Sequence, residues 1–235
     1  MNKRSMTVLY IACFLGLMYS SVRAKTDKAS WTDICKTVRQ IVLPTIQSPL
    51  KEHVPKDDVV VNIDIDSNGT VTSAQLLSGS PEYGTIFIDA AKKWTFGKGP
   101  LSKSIPKKAE INFRFKAAGG NCVILDEKDK LVVIVPAESL DPKLLIAAGA
   151  TIHSFAAERM PAPFPPNVPK IAGRVLVSVE IDETGRVISA KANSGHPSYQ
   201  TVAEETSRKW KFREIQLNGN AVRLSGNLVF NWVVN

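Results

Sequence analysis

The chain has 235 residues, 44% hydrophobic and 22% charged, with a formal net charge of +8. That balance excludes a disordered polymer and provides core for one large domain or two small ones. The basic residues are scattered rather than gathered into a stripe interleaved with aromatics, which argues against a nucleic-acid-binding surface.

The chain opens MNKRSMTVLYIACFLGLMYSSVRA, with Lys3 and Arg4 ahead of an apolar run and a Val22-Arg23-Ala24 end. This pattern predicts a secretory signal peptide over residues 1–24, since the run falls short of the roughly 20 apolar residues of a spanning helix. Cleavage removes three basic residues and no acidic one, lowering the net charge from +8 to +5. Two cysteines then remain, Cys35 and Cys122, an even count that an oxidising compartment can join in one disulfide. Residues 25–50 read as an N-terminal helical segment, with a helix over Ser30–Ile46 stopped near Pro44.

A repeat organises the rest. Val59 to Phe96 lies over Val175 to Phe212 at a constant offset of 116 without a gap, with 16 of 38 positions identical. In each copy an alternating run (Val59, Val61, Ile63, Ile65; Val175, Val177, Val179, Ile181) predicts a half-buried strand. A turn ending in Gly69 or Gly185 leads to a second strand. Ser-Gly-x-Pro then starts a helix, with Tyr83, Ile86, Phe87, Ala90 and Trp94, or Tyr199, Val202, Ala203, Thr206 and Trp210, on its inner face. The tryptophans close these apolar stripes and read as core. A final strand carries Ile111, Phe113 and Phe115 in the first copy, and Val222, Leu224, Leu228, Phe230 and Trp232 in the second. The expected fold class is therefore α+β, two β-β-α-β units, each a small antiparallel sheet packed by one helix. The units span residues 51–116 and 161–235. Between them, 117–160 reads as a hairpin over Cys122–Val135 and a helix over Pro142–Arg159, followed by an extended proline-rich stretch at 161–169.

DIDSNG at Asp64–Gly69 matches the first half of a calcium-binding EF-hand loop. Its flanks are strands, the position of the bidentate glutamate is Gln75, and the second copy has Glu180 and Thr184 in place of Asp64 and Asn68. What both copies keep is glycine and an aspartate that can bond turn amides, so the hexapeptide reads as a hairpin turn. The three histidines, His53, His153 and His196, form no metal-ligand spacing, and His196 reads as a helix cap or surface residue. No catalytic, cofactor or metal residues are signalled.

The second copy, with Phe164-Pro165 ahead of GRVLVSVEIDETGRVISAKANSG, a helix ending in Trp210-Lys211-Phe212, and NGNAVRLSGNLVFNW, resembles the TonB C-terminal domain. The first copy resembles it more loosely. The resemblance implies a periplasmic, non-enzymatic protein associated with transport, which binds an outer-membrane transporter or other envelope protein by strand addition. The matching edge strand carries Arg223, Ser225, Asn227, Val229 and Asn231. Edge strands also leave room for a homodimer. No nucleic acid and no small-molecule cofactor are expected. Two alternatives stand beside this reading. One is a short membrane-anchored energy transducer with an uncleaved N-terminal segment. The other is an enzyme or inhibitor using the cleft between the units, near His153 and the 122–135 hairpin.

Overall fold

The computed structural model describes residues 31–45, 57–99, 102, 104–116, 122–127, 130–136, 144–147 and 149–234. The predicted signal peptide lies outside them. Among the described residues no helix is long and apolar enough to cross a membrane.

Both repeat units form as the hydrophobic periods dictate. The first consists of β2 (Val59–Ile65), β3 (Val71–Ser78), α2 (Pro81–Lys92), β4 (Thr95–Phe96) and β5 (Lys108–Lys116). The second consists of β10 (Gly173–Ile181), β11 (Val187–Ala192), α3 (Pro197–Lys209), β12 (Lys211–Phe212) and β15 (Arg223–Trp232). In each, the first strand pairs antiparallel with the other two, and one helix packs across the sheet. The hairpins share one register: Val61 opposes Leu76 and Ile63 opposes Ala74, as Val177 opposes Ala192 and Val179 opposes Ala190. Gly69 and Gly185 are required at the turns. Both have positive φ, and a Cβ there would come within 1.8 Å of the Phe96 carbonyl oxygen or 2.0 Å of that of Phe212.

The connecting segment supplies what the repeats lack. β6 (Cys122–Glu127) and β7 (Lys130–Pro136) form the expected hairpin. The helix expected over Pro142–Arg159 is instead β8 (Leu144–Ala147), a 3-10 helix (Gly149–Phe155) and β9 (Ala156–Glu158). Leu144–Ala147 is a short apolar run compatible with either period, and pairing with two neighbouring strands decides for strand. β7 runs parallel beside β5, and β8 runs parallel beside β15. The two small sheets thus become one nine-stranded sheet in the order β11-β10-β15-β8-β6-β7-β5-β2-β3.

At the N-terminal end, the expected helix is shorter, α1 (Trp31–Thr37), and gives way to β1 (Val38–Ile41). β1 pairs antiparallel with β4 of the first unit and parallel with β13 (Gln216–Leu217) of the second, which turns back through β14 (Asn220–Ala221). Cys35 is fully buried in this region; the side chain of Cys122, its expected disulfide partner, lies outside the described residues.

Trp94 and Trp210 are core residues, as their helical spacing indicates. Trp94 is fully buried, edge-on to Phe113 at 6.3 Å, and its indole N–H donates to the Val42 carbonyl at 2.9 Å. Trp210 donates to the Met160 carbonyl at 2.9 Å. Trp94→Ala is expected to cost about 3–5 kcal/mol in denaturant unfolding. Trp94→Phe should cost about 1–3 kcal/mol, chiefly by leaving the Val42 carbonyl without its donor.

Candidate functional site

The residues expected to offer a docking edge, Arg223, Ser225, Asn227, Val229 and Asn231, all sit on β15. The structure corrects their placement, because β15 is an interior strand. β10 lies along one side throughout, and β8 pairs with Arg223–Gly226 on the other. Past the end of β8, the backbone N–H of Val229 donates to Nε2 of His153 at 3.1 Å. Asn227 is engaged too: Ser178 Oγ donates to its Oδ1 at 2.7 Å and is itself bonded to Asn193 Nδ2. The equivalent strand of the first unit, β5, has its side taken by β7. The chain's own connecting segment therefore runs along one edge of each repeat unit, β15 of the second and β5 of the first.

The free edges of the nine-stranded sheet are the outer hairpin strands, β3 and β11. On β11, the amide of Asn193, just past the strand, points inward to the Leu176 carbonyl at 2.8 Å. By alternation, Ala190 and Ala192 turn their backbone groups outward. Helix α3 caps both of them. The Ala192 N–H donates to Glu204 Oε1 at 2.8 Å, and Arg208 Nη2 donates to the Ala190 carbonyl at 3.0 Å. The two side chains stand 4.0 Å apart as an ion pair one helical turn apart.

β3 has the same register, so Ala74 and Leu76 are its outward residues. The helix positions equivalent to Glu204 and Arg208 are Ile88 and Lys92. An isoleucine cannot accept a hydrogen bond, and among the described residues nothing is bonded to the outward groups of Ala74 and Leu76. The strand VTSAQLLS carries no charge and no proline, the usual means of blunting an edge. The repeat thus contains its own control: one edge capped by two side chains, its counterpart open.

Other sequence-predicted features are structural. Asp66 Oδ1 accepts from the amides of Asn68 and Thr70, each at 2.9 Å, and Asp182 Oδ1 from those of Thr184 and Arg186 at 3.0 and 2.9 Å. The Arg186 amide and the Thr184 hydroxyl hold the Asp182 carboxyl below its usual range. DIDSNG is thus a turn, and among the described residues no group of three or more His, Cys, Asp or Glu side chains is placed to hold a metal. His196 caps α3, its Nδ1 accepting from the Ser198 amide at 3.3 Å.

A cleft of about 700 Å³ lies between the units, not near His153 but between α2, the end of β1 and the β13–β14 turn. Its charged lining is Asp89 and Lys93. The amides beside them are already used, Asn218 Oδ1 by the Leu43 N–H and Gln40 Nε2 by the Lys93 carbonyl.

No model of a known protein family matches the chain, and no curated protein matches it.

If Glu204 is the cap of β11, Glu204→Ala should speed hydrogen exchange at the Ala192 amide by about tenfold or more while leaving that of Lys191, which points into the β10–β11 ladder, unchanged. His153 yields a second prediction. Burial, and then the nearby Arg159 charge, push its pKa down from 6.5 to about 4. Between those values the unfolded chain binds a proton that the folded one rejects. Stability is therefore at its full value above pH 6.5 and falls as pH drops toward 4, by up to about 3 kcal/mol. Protonation would also remove the lone pair that accepts from Val229. Urea titrations at a series of pH values should show this slope, and His153→Phe should flatten it.

Proposed function

We propose that this chain is a non-catalytic binding module of the periplasm that takes up an extended segment of an envelope partner, such as an outer-membrane transporter, by strand addition at β3. The observation that carries the reading is the open edge at Ala74 and Leu76 beside an equivalent edge closed by Glu204 and Arg208. An extended segment supplies one acceptor for each outward N–H and one donor for each outward carbonyl, which is the source of affinity in this mode. The resemblance of the repeat to the TonB C-terminal domain supports strand addition as the mode, export and the class of partner. The edge differs from the one that the resemblance implies, because β8 pairs with Arg223–Gly226 of β15 and His153 takes the Val229 amide.

The edge can be blocked without breaking the fold. Ala74 directs its N–H outward, so proline there removes a docking donor and leaves the β2–β3 ladder intact. Ten-residue peptides selected from a displayed library against the wild-type chain should bind Ala74→Pro at least about tenfold more weakly, and should slow exchange of the Leu76 amide. Equal binding to both proteins would overturn the reading.

A further inference from the structure

Resting on the strand-addition reading, we propose that in the absence of an envelope partner the occupant of the β3 edge is β3 of a second copy of this chain, antiparallel about a two-fold axis at Gln75.

The register follows from the backbone. The β2–β3 ladder shifts between Val60 and Val61 and again between Asp64 and Ile65, so that Leu77 and Thr72 are bulged out. The regular run is Ser73–Leu76, and its outward residues are Ala74 and Leu76. Centring the two-fold at Gln75 sets Ala74 of each copy opposite Leu76 of the other. Directly opposed outward residues exchange both of their backbone hydrogen bonds, so every open group of the regular run finds a partner in the second copy. A two-fold at Ala74 would set Leu76 against the bulged Thr72, and one at Leu76 would set Ala74 against Ser78, across the Leu77 bulge and outside the regular run.

The side chains suit self-pairing. A two-fold contact places the same patch against itself and closes there, without growing into a filament. No residue of β3 is charged, so pairing buries no ion and opposes no like charges. On the helix-facing side Ala74 and Leu76, half-buried, join the partly exposed Ile88 in one apolar strip, which the second copy would continue. The matching positions in the other unit are Ala190, Ala192 and Glu204, smaller and charged. An uncapped, uncharged edge is open to indiscriminate pairing. β11 avoids this through α3, and a closed dimer does the same for β3. A partner segment would then bind by displacing the second copy.

Gln75 is exposed, so charges can be introduced at the proposed axis without touching the core. Sedimentation equilibrium of the full chain should show a concentration-dependent dimer. Gln75→Glu alone and Gln75→Lys alone should each weaken it by up to about fivefold, since like charges then face each other. A one-to-one mixture of the two variants should restore it. A wild-type chain that stays monomeric, or variants that associate as the wild type does, would sink the second copy as occupant. In that event, loss of peptide binding in Ala74→Pro would leave the strand-addition reading standing, whereas unchanged peptide binding would remove both.

Discussion

The arrangement depends on one buried cation. Arg213 is 5% exposed, and among the described residues no carboxylate contacts it. Its guanidinium donates to the carbonyls of Val38 and Cys35, and at 3.4 Å to that of Ser154, while Phe155 lies 5.8 Å below it. Burial, and then the charge of Arg39, push its pKa down to about 10, so it stays charged at neutral pH. Desolvating an ion costs several kcal/mol, and carbonyl oxygens near the negative end of α1 are the compensation available here. The consequence is positional. Arg213 belongs to the second unit, Cys35 and Val38 belong to the N-terminal segment, and Ser154 belongs to the connecting segment. With the guanidinium tying all three, β1 is held where it can pair with β4 on one side and β13 on the other. The clamp thus adds a second tie between the two units, which β7 and β8 already join into one sheet ending at β3 and β11.

Seen from that clamp, the duplication is longer than the sequence repeat. α1 followed by β1 matches the 3-10 helix followed by β9: each leads into a short strand paired antiparallel with the strand after the repeat helix, β4 or β12. Each then passes a carbonyl, that of Val42 or Met160, to the indole of the unit's tryptophan. The residues involved have diverged. Ile34 and Ile152 remain alike and buried, but Cys35 stands where the other copy has His153, and Val38 where it has Ala156. What the two copies share here is backbone pairing and a donated hydrogen bond, neither of which requires a particular side chain. For that reason the upstream half of the repeat was invisible to residue-by-residue comparison.

The β-β-α-β units were legible because period-2 strands, a glycine turn and an apolar helical stripe each follow from local rules that burial then satisfied. Tyr83, Phe87, Trp94, Tyr199 and Trp210 all lie in the core. The failures lie where tertiary pairing decides. Leu144–Ala147 satisfied a helical stripe with Ile152 and Phe155, yet it is a strand because β15 and β6 each had a side to fill. For the same reason the edge that the resemblance implies at Arg223–Asn231 has β8 beside its first half. Alternation shows which residues avoid the core, but it is silent about what runs alongside in the hydrogen-bonding direction. The capped edge was equally hidden. Glu204 and Arg208 look like an ordinary helical ion pair until the register shows which β11 groups point at them.

Duplication gave this chain two equivalent edges, and a difference at two helix positions treats them oppositely. A carboxylate and a guanidinium on one helical face can take over the hydrogen-bonding role of a neighbouring strand at Ala192 and Ala190, and because they also pair with each other neither is left as an isolated charge. With isoleucine in the carboxylate position, Lys92 alone could satisfy a carbonyl but no amide, so the equivalent edge cannot be closed from within by the same means. Substituting Leu76 for Ala192 and Ile88 for Glu204 also changes what lies beside the edge, from a small polar surface to an apolar strip. Both changes favour occupancy by another strand over contact with water. Edge chemistry, rather than a pocket or a reactive side chain, is therefore the feature in which the two halves of this molecule differ most consequentially.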